Sequence, residues 1–152
     1  MTADLEFATN RATAEDIAVH LTGCDASFIP RLSLRVDLSA YSQKLANLAE
    51  TFEAWSGDTL VGLVAVYCND RETRVAHISS VSVLAAWSGQ GIASRLVRQG
   101  IAGALAEGMD RISLEVHRDN APAIGLYERC GFATSETASA LLTMRLDLEG
   151  RK

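Results

Sequence analysis

Cysteine is scarce. The 152 residues hold three, Cys24, Cys68 and Cys130, an odd number with no Cys-x-x-Cys spacing. That excludes a disulfide framework and a cysteine-based zinc site, so no metal is expected and each cysteine reads as a small buried hydrophobe. Basic charge is also in deficit: 14 Lys and Arg stand against 19 Asp and Glu, a formal net charge of -5. The basic stripe that marks a nucleic-acid surface is missing, and the balance favours a cationic or amine-bearing substrate over an acidic one. Long apolar runs are absent as well. The longest, Leu60 to Cys68, falls far short of the roughly 20 residues that span a bilayer, so no membrane partner is expected. Met1 to Asp16 is polar and acidic where a signal peptide carries an apolar core, which points to a soluble, cytoplasmic protein. Internal repeats and low-complexity linkers are missing too.

What the chain does carry is 48% hydrophobic content, enough for a core in a single domain over residues 1–152. Leu5 to Ala8 reads as a short strand, and Thr13-Ala14-Glu15-Asp16 as a capping box opening a helix to about Cys24. A second helix is expected from Ser39 to Glu50, with Tyr41, Leu45 and Leu48 on one face. Between them, Asp25 to Leu38 has Pro30, Arg31 and Arg35 and no clear period, the pattern of a substrate-specific loop. Thr51 to Trp55 and Leu60 to Asn69 read as strands around the turn Ser56-Gly57-Asp58-Thr59. A turn at Asn69 to Glu72 then leads to a strand from Arg74 to Leu84. A helix from Ile92 to Glu107 carries the apolar stripe Leu96, Val97, Ile101, Ala104 and Leu105 and stops at Gly108. The strand from Arg111 to Val116 follows it as the parallel partner of the fourth strand. Phe132 to Ser135 and Ala138 to Leu148 complete the sheet, the latter alternating Leu142, Met144, Leu146 and Leu148 with Thr143, Arg145 and Asp147. Glu149 to Lys152 is expected to fray. The order describes an α+β fold: a mixed, mostly antiparallel seven-stranded sheet flanked by about four helices.

Two segments carry the chemistry. Ala85 to Ser94, Ala-Ala-Trp-Ser-Gly-Gln-Gly-Ile-Ala-Ser, joins the fourth strand to the helix from Ile92. The first N–H groups of a helix have no internal acceptor and sit at the positive end of its dipole. Gly89 and Gly91 let an anion approach the backbone, so the turn is a candidate pyrophosphate site. The plain alternative is a turn that uses glycine for its conformational freedom. No Gly-Lys-Ser/Thr follows, which excludes a P-loop. The second segment, Leu114 to Phe132, reads as strand, loop, capped helix and glycine stop. Asn120 is its N-cap, Pro122 sits in the first turn where a missing N–H costs little, and Gly131 ends it.

Taken together, roughly from Val75 to Ser135, the two segments resemble the GNAT superfamily of acetyl-CoA-dependent N-acetyltransferases. Ser88 to Ala93 is similar to the family's Gln/Arg-x-x-Gly-x-Gly/Ala loop, with Ser88 where Arg or Gln is usual. Leu114 to Phe132 is similar to its Leu-Glu-Val…Asn…Ala…Leu-Tyr…Gly-Phe motif. The resemblance implies acetyl-CoA as cosubstrate, with its pyrophosphate on Ser88, Gly89, Gln90, Gly91, Ile92, Ala93 and Ser94. It implies two splayed parallel strands, with the pantetheine arm pairing to backbone groups of Val81, Ser82 and Val83 as an added strand. It further implies that Asn120 contacts the cofactor and that Tyr127 protonates the departing thiolate. The alternative for Tyr127 is a core aromatic beside Leu126 and Phe132.

Acetyl transfer to a lysine-like amine of pKa about 10.4 needs a neutral nucleophile, and deprotonation at pH 7 costs roughly 4 to 5 kcal/mol, so a base is useful. Two residues compete for that role. His77, six residues before Val83 on the fourth strand, stands where many GNAT members carry a Glu acting through water. Glu115 matches the base of the protein N-terminal alpha-amine acetyltransferases. Each has a structural alternative, a hydrogen-bonded strand His and a Glu paired with an Arg. His20 and His117 are further histidines, the latter expected to be solvated. Arg95, Arg98 and Arg118 meet either phosphates or solvent, and a cysteine ping-pong route lacks an evident activating partner. A strand amide near Val83 is positioned for a developing oxyanion. The leading reading is transfer to a primary amine of a small molecule, such as an amine or amino sugar, in a ternary complex. The alternatives are a protein N-terminus or lysine as acceptor, or a non-catalytic acyl-CoA-binding regulatory module. A dinucleotide-binding domain is disfavoured by the antiparallel strands ahead of the loop and by Ser94 in place of a third Gly. A homodimer through a C-terminal edge strand remains open.

Overall fold

The computed structural model describes residues 5–149. In chain order these form β1 (Glu6–Thr9), α1 (Ala14–Cys24), α2 (Leu38–Leu48), β2 (Glu50–Ser56), β3 (Thr59–Tyr67), β4 (Val75–Val83), α3 (Ile92–Ala106), β5 (Arg111–His117), α4 (Ala121–Arg129), β6 (Ala133–Ala138) and β7 (Leu141–Asp147). Local chemistry sets several boundaries. Thr13 Oγ1 accepts from the Asp16 amide at 3.1 Å while the Asp16 carboxylate accepts from the Thr13 amide at 2.9 Å, so the capping box opens α1. β2 and β3 close through a two-residue turn, Ser56 opposite Thr59, with Gly57 at φ 58°.

The seven strands form one sheet in the order β1-β2-β3-β4-β5-β7-β6, antiparallel except between β4 and β5. The expected α+β fold is the one observed. Side chains of β3 alternate between two cores. Val64 and Val66 face α3, whose Leu96, Val97 and Ile101 are buried with them, while Leu63 and Ala65 face Ile17 and Leu21 of α1 and Leu45 of α2. At roughly 1.5 to 3 kcal/mol per buried large aliphatic side chain, these two layers are the main source of stability. Among the described residues no helix is long and apolar enough to cross a membrane.

Three boundaries differ from expectation. The second helix starts at Leu38, capped by Asp37 on the Ser39 amide, and ends at Leu48, because Glu50 pairs with Val66 in the sheet. Its buried side chains are Ser42 and Leu45, and Leu48 is 54% exposed. The last hairpin turns later than the apolar pattern suggests. Ser139 takes a left-handed φ of 56°, so β6 runs to Ala138, exposed throughout, and forms the C-terminal edge of the sheet. The fraying expected at the C-terminus falls, from 150 onward, outside the described residues.

One carboxylate in this fold had no sequence signal. Glu53, 0% exposed in β2, accepts from the amides of Arg11 and Ala12, from Thr51 Oγ1 and from Trp55 Nε1 at 2.5 to 3.1 Å. It ties the segment before α1 to the sheet, and its donors offset the cost of burying it.

Candidate active site

β4 and β5 hold together only along their first halves. Val75, Ala76, His77 and Ile78 pair with Arg111, Ile112, Ser113 and Leu114, and the ladder stops there although both strands continue. The cause lies on the other edge of β4. Val66 pairs with Ile78 and Ala65 with Ser80, leaving Ser79 as the extra residue of a bulge, a feature that bends its strand. Tyr41 of α2 holds this bulge: its hydroxyl donates to the Ser79 carbonyl at 3.1 Å and lies 2.6 Å from Ser79 Oγ. Beyond the bulge Val81 and Val83 pack with the α3 core, whereas Ser82 turns toward α1.

The parted strands enclose a cleft of about 360 Å³. Of the residues expected to bind or react, Val81, Ser82, Val83, Ala93, Glu115, Asn120 and Tyr127 line it. Ser27, Phe28, Ile29 and Arg35 wall it from the stretch between α1 and α2, the one that shows no period in the sequence. Ser80 of β4 also lines the cleft, with its hydroxyl buried.

Ala93 carries the cleft to the first turn of α3, where the glycine loop stands. Gly89 and Gly91 adopt φ of 78° and 79°, and nothing lies within 4 Å of a Cβ built on either, so backbone conformation rather than crowding calls for glycine there. Gly91 is the N-cap of α3 and supplies no side-chain cap, and the amides of Gly89 to Ser94 find no acceptor among the described residues. Such a row of amides at a helix N-terminus fits a pyrophosphate. Two members of the expected set contribute less than their side chains suggest. Ser88 Oγ is spent on the Ala85 carbonyl at 2.8 Å, and the Ile92 side chain is buried in the core. Two of the three arginines weighed for phosphate or solvent are engaged within the protein: Arg95 lies 3.6 Å over the Phe7 ring, and Arg98 donates to the Arg129 carbonyl at 3.3 Å.

Asn120 caps α4 through its side-chain oxygen, which accepts from the Ala123 amide at 3.3 Å and leaves the NH₂ end free of that task. Tyr127, 7% exposed, meets Phe132 edge-on at 6.1 Å between ring centres. Burial, aided by Cys130, pushes its phenol up to about 12. It is thus a core aromatic that also lines the cleft with its phenol protonated. Glu115 and His77 share the opposite face of the sheet. Glu115 lines the cleft, whereas His77, half-buried, sits at the closed part of the seam with Nδ1 3.5 Å from Ser113 Oγ. Burial lowers the His77 pKa, and the Glu115 charge partly counters that.

Two expectations require correction. His117 is not simply solvated, because its Nδ1 accepts from the Asp119 amide at 3.1 Å and closes the loop before α4. Cys24 does have a partner, His20 Nε2 at 3.7 Å, yet burial pushes the thiol up to about 11, which still disfavours a thiolate nucleophile. His20 itself is buried against Ser82 and was not assigned a role from sequence. Its spacing of four from Cys24 places both on one face of α1, but the link to β4 spans 62 positions. Among the described residues no three His, Cys, Asp or Glu side chains gather into a metal site.

Known proteins resemble this chain in sequence and in fold. The chain is 32% identical over 83 residues to mycothiol acetyltransferase of Corynebacterium glutamicum (strain R), a match covering 55% of this chain and 28% of that protein. It is 33% identical over 82 residues to the N-alpha-acetyltransferase MAK3 of Arabidopsis thaliana, covering 53% of this chain and 43% of that one. The chain thus spans less than half the length of these curated relatives. Its fold matches the PaiA N-acetyltransferase of Thermoplasma acidophilum, solved in complex with coenzyme A, with a TM-score of 0.75 at 15% identity over 95% of this chain and 99% of that one. The sequence model of the Acetyltransferase (GNAT) family matches residues 20–132, a span that includes most of the cleft, the glycine loop and α4, and the chain belongs to that family.

Proposed function

We propose that this chain transfers the acetyl group of acetyl-CoA to a primary amine by direct attack in a ternary complex. The observation that carries this reading is the cleft between β4 and β5, which runs to the unpaired amides of Gly89 to Ser94. Those amides receive the pyrophosphate, and the unpaired edge of β4 at Val81 to Val83 takes the pantetheine arm as an added strand. A backbone amide near Val83 holds the carbonyl oxygen as charge develops on it. Glu115, at the cleft, removes a proton from the incoming ammonium. Tyr127, protonated at neutral pH, supplies one to the departing thiolate. His77 lies outside the cleft lining, which favours Glu115 as the base.

For the acceptor we favour a small amine or amino sugar. The wall formed by Ser27, Phe28, Ile29 and Arg35 limits the cleft, and the likeness to mycothiol acetyltransferase is in keeping with a small molecule. A second reading, a protein alpha-amine, draws on Glu115 at the cleft and on the likeness to MAK3. The test is acetyl-CoA binding by calorimetry, then thiol release with small amines, amino sugars and peptides bearing a free alpha-amine. Binding with release confirms the transferase and names the acceptor class. Binding without release from any of them favours a regulatory acyl-CoA-binding module, and no binding overturns the assignment of the glycine loop.

A further inference from the structure

Under that reading, an amine arriving as an ammonium ion sheds two protons before it becomes an amide. One leaves before attack, and one leaves the cationic nitrogen of the adduct. Glu115 accounts for one, and the α1 side of β4 holds an acceptor for the other. His20 is 2% exposed, and its Nδ1 lies 2.9 Å from the Leu60 carbonyl. A carbonyl only accepts, so Nδ1 carries the proton and Nε2 is left with a lone pair. Ser82 Oγ stands 2.8 Å from that Nε2 and therefore donates its O–H to it. The Cys24 thiol also hydrogen-bonds the Ser82 side chain, which leaves one lone pair of Oγ to accept from substrate, and Ser82 lines the cleft between Val81 and Val83, the strand assigned to the thioester.

We propose that Ser82 and His20 form a proton relay that takes the second proton from the acceptor nitrogen. As the C–N bond is completed, an N–H proton passes to Ser82 Oγ while the Ser82 hydroxyl proton passes to His20 Nε2. The C–S bond breaks and the thiolate takes the Tyr127 proton. Nitrogen has then lost two protons and sulfur gained one, and the difference returns to solvent as Glu115, His20 and Tyr127 regain their resting states. Ser82 touches substrate, and His20 acts through it as a positioning and proton-accepting group. Burial lowers the His20 pKa below its ordinary 6.5, so the ring is neutral and able to accept at pH 7. Around the ring, β3 presents the Leu60 carbonyl, β4 the Ser82 hydroxyl, and α1 the Cys24 thiol, which stays protonated to about 11.

Ser82→Ala and His20→Gln separate this relay from a structural prop. The carboxamide of His20→Gln still accepts from Ser82 but does not titrate. The assay is thiol release from acetyl-CoA by the full chain with alanine amide, glucosamine and an alanine-initiated tripeptide, with acetyl-CoA binding followed by calorimetry. Both variants are expected to lower kcat by about 100-fold, the lower range for a proton-transfer group, with acetyl-CoA affinity unchanged. Glu115 and His20 both contribute to the low-pH limb of the wild-type kcat profile, so His20→Gln is expected to change its shape and leave the part due to Glu115. A His20→Gln enzyme with the wild-type rate and pH profile overturns the relay and leaves the transferase intact. Absence of acetyl-CoA binding by the wild type removes the transferase reading itself.

Discussion

Tyr127 shows how one side chain serves two purposes. Its ring is part of the core, and the burial that stabilises the fold also keeps the phenol protonated, with a pKa of about 12. Tyr127→Phe retains the ring and removes only the proton, so kcat is expected to fall by about 100-fold or more while acetyl-CoA affinity stays near wild type. Steady-state kinetics beside calorimetry check this, and equal loss in both contradicts the acid role. Asn120 was readable as a cap, which is a local pattern, and both Asn120 and Tyr127 were readable as site candidates through the family's Leu-Glu-Val…Asn…Ala…Leu-Tyr…Gly-Phe motif. Glu115 and His77 were both readable as candidate bases, but which of them lines the cleft depends on where the β4–β5 ladder ends. The contacts of His20 were unreadable because its partners, Leu60 and Ser82, come from two strands distant in sequence.

The strand, glycine turn and helix formed by β4, Ser88 to Gly91 and α3 are the element on which the proposed cofactor binding rests. Gly91 sits at φ 79° with open space where a Cβ would go, so Gly91→Ala strains the backbone without a clash. The strain is expected to cost about 1 to 2 kcal/mol. Turning the amides of the first turn away from the anion is expected to weaken acetyl-CoA binding about tenfold, or 1.4 kcal/mol. Gly57→Ala, at φ 58° in the β2–β3 hairpin and remote from the cleft, serves as the control that loses stability alone. Thermal melts and calorimetry on the two variants separate these effects, and equal affinities for acetyl-CoA contradict the loop's role. This element also shows where counting by twos along a strand fails. From His77 an unbroken β4 would place Val81 and Val83 on the His77 face. The bulge at Ser79 reverses the parity and puts Ser82 there instead, next to His20.

For the molecule as a whole, the fold depends on a few long-range ties as well as on its two apolar layers. Glu53 is the clearest. It is fully buried, and its four donors come from the segment before α1 and from β2 itself. Glu53→Gln replaces an acceptor oxygen with an NH₂ group facing those donors and is expected to cost about 3 kcal/mol, a large share of the roughly 5 to 15 kcal/mol that stabilises a domain. Urea denaturation followed by circular dichroism measures this. A loss under about 1 kcal/mol, within the range of an ordinary surface change, contradicts the tie.

The sequence alone was enough to set the caps of α1 and α4, the strand and helix periods, the glycine loop and the family motif, because each depends on residues a few positions apart. Folding decided the remainder: the end of α2, the placement of β7 between β5 and β6, the bulge that parts β4 from β5, and the approach of His20 to Ser82. Periodicity and capping are written in neighbouring side chains and their backbone dihedrals. Register, strand order and cleft shape depend on pairings between distant segments, whose free energies are settled only when the whole sheet and both cores form together.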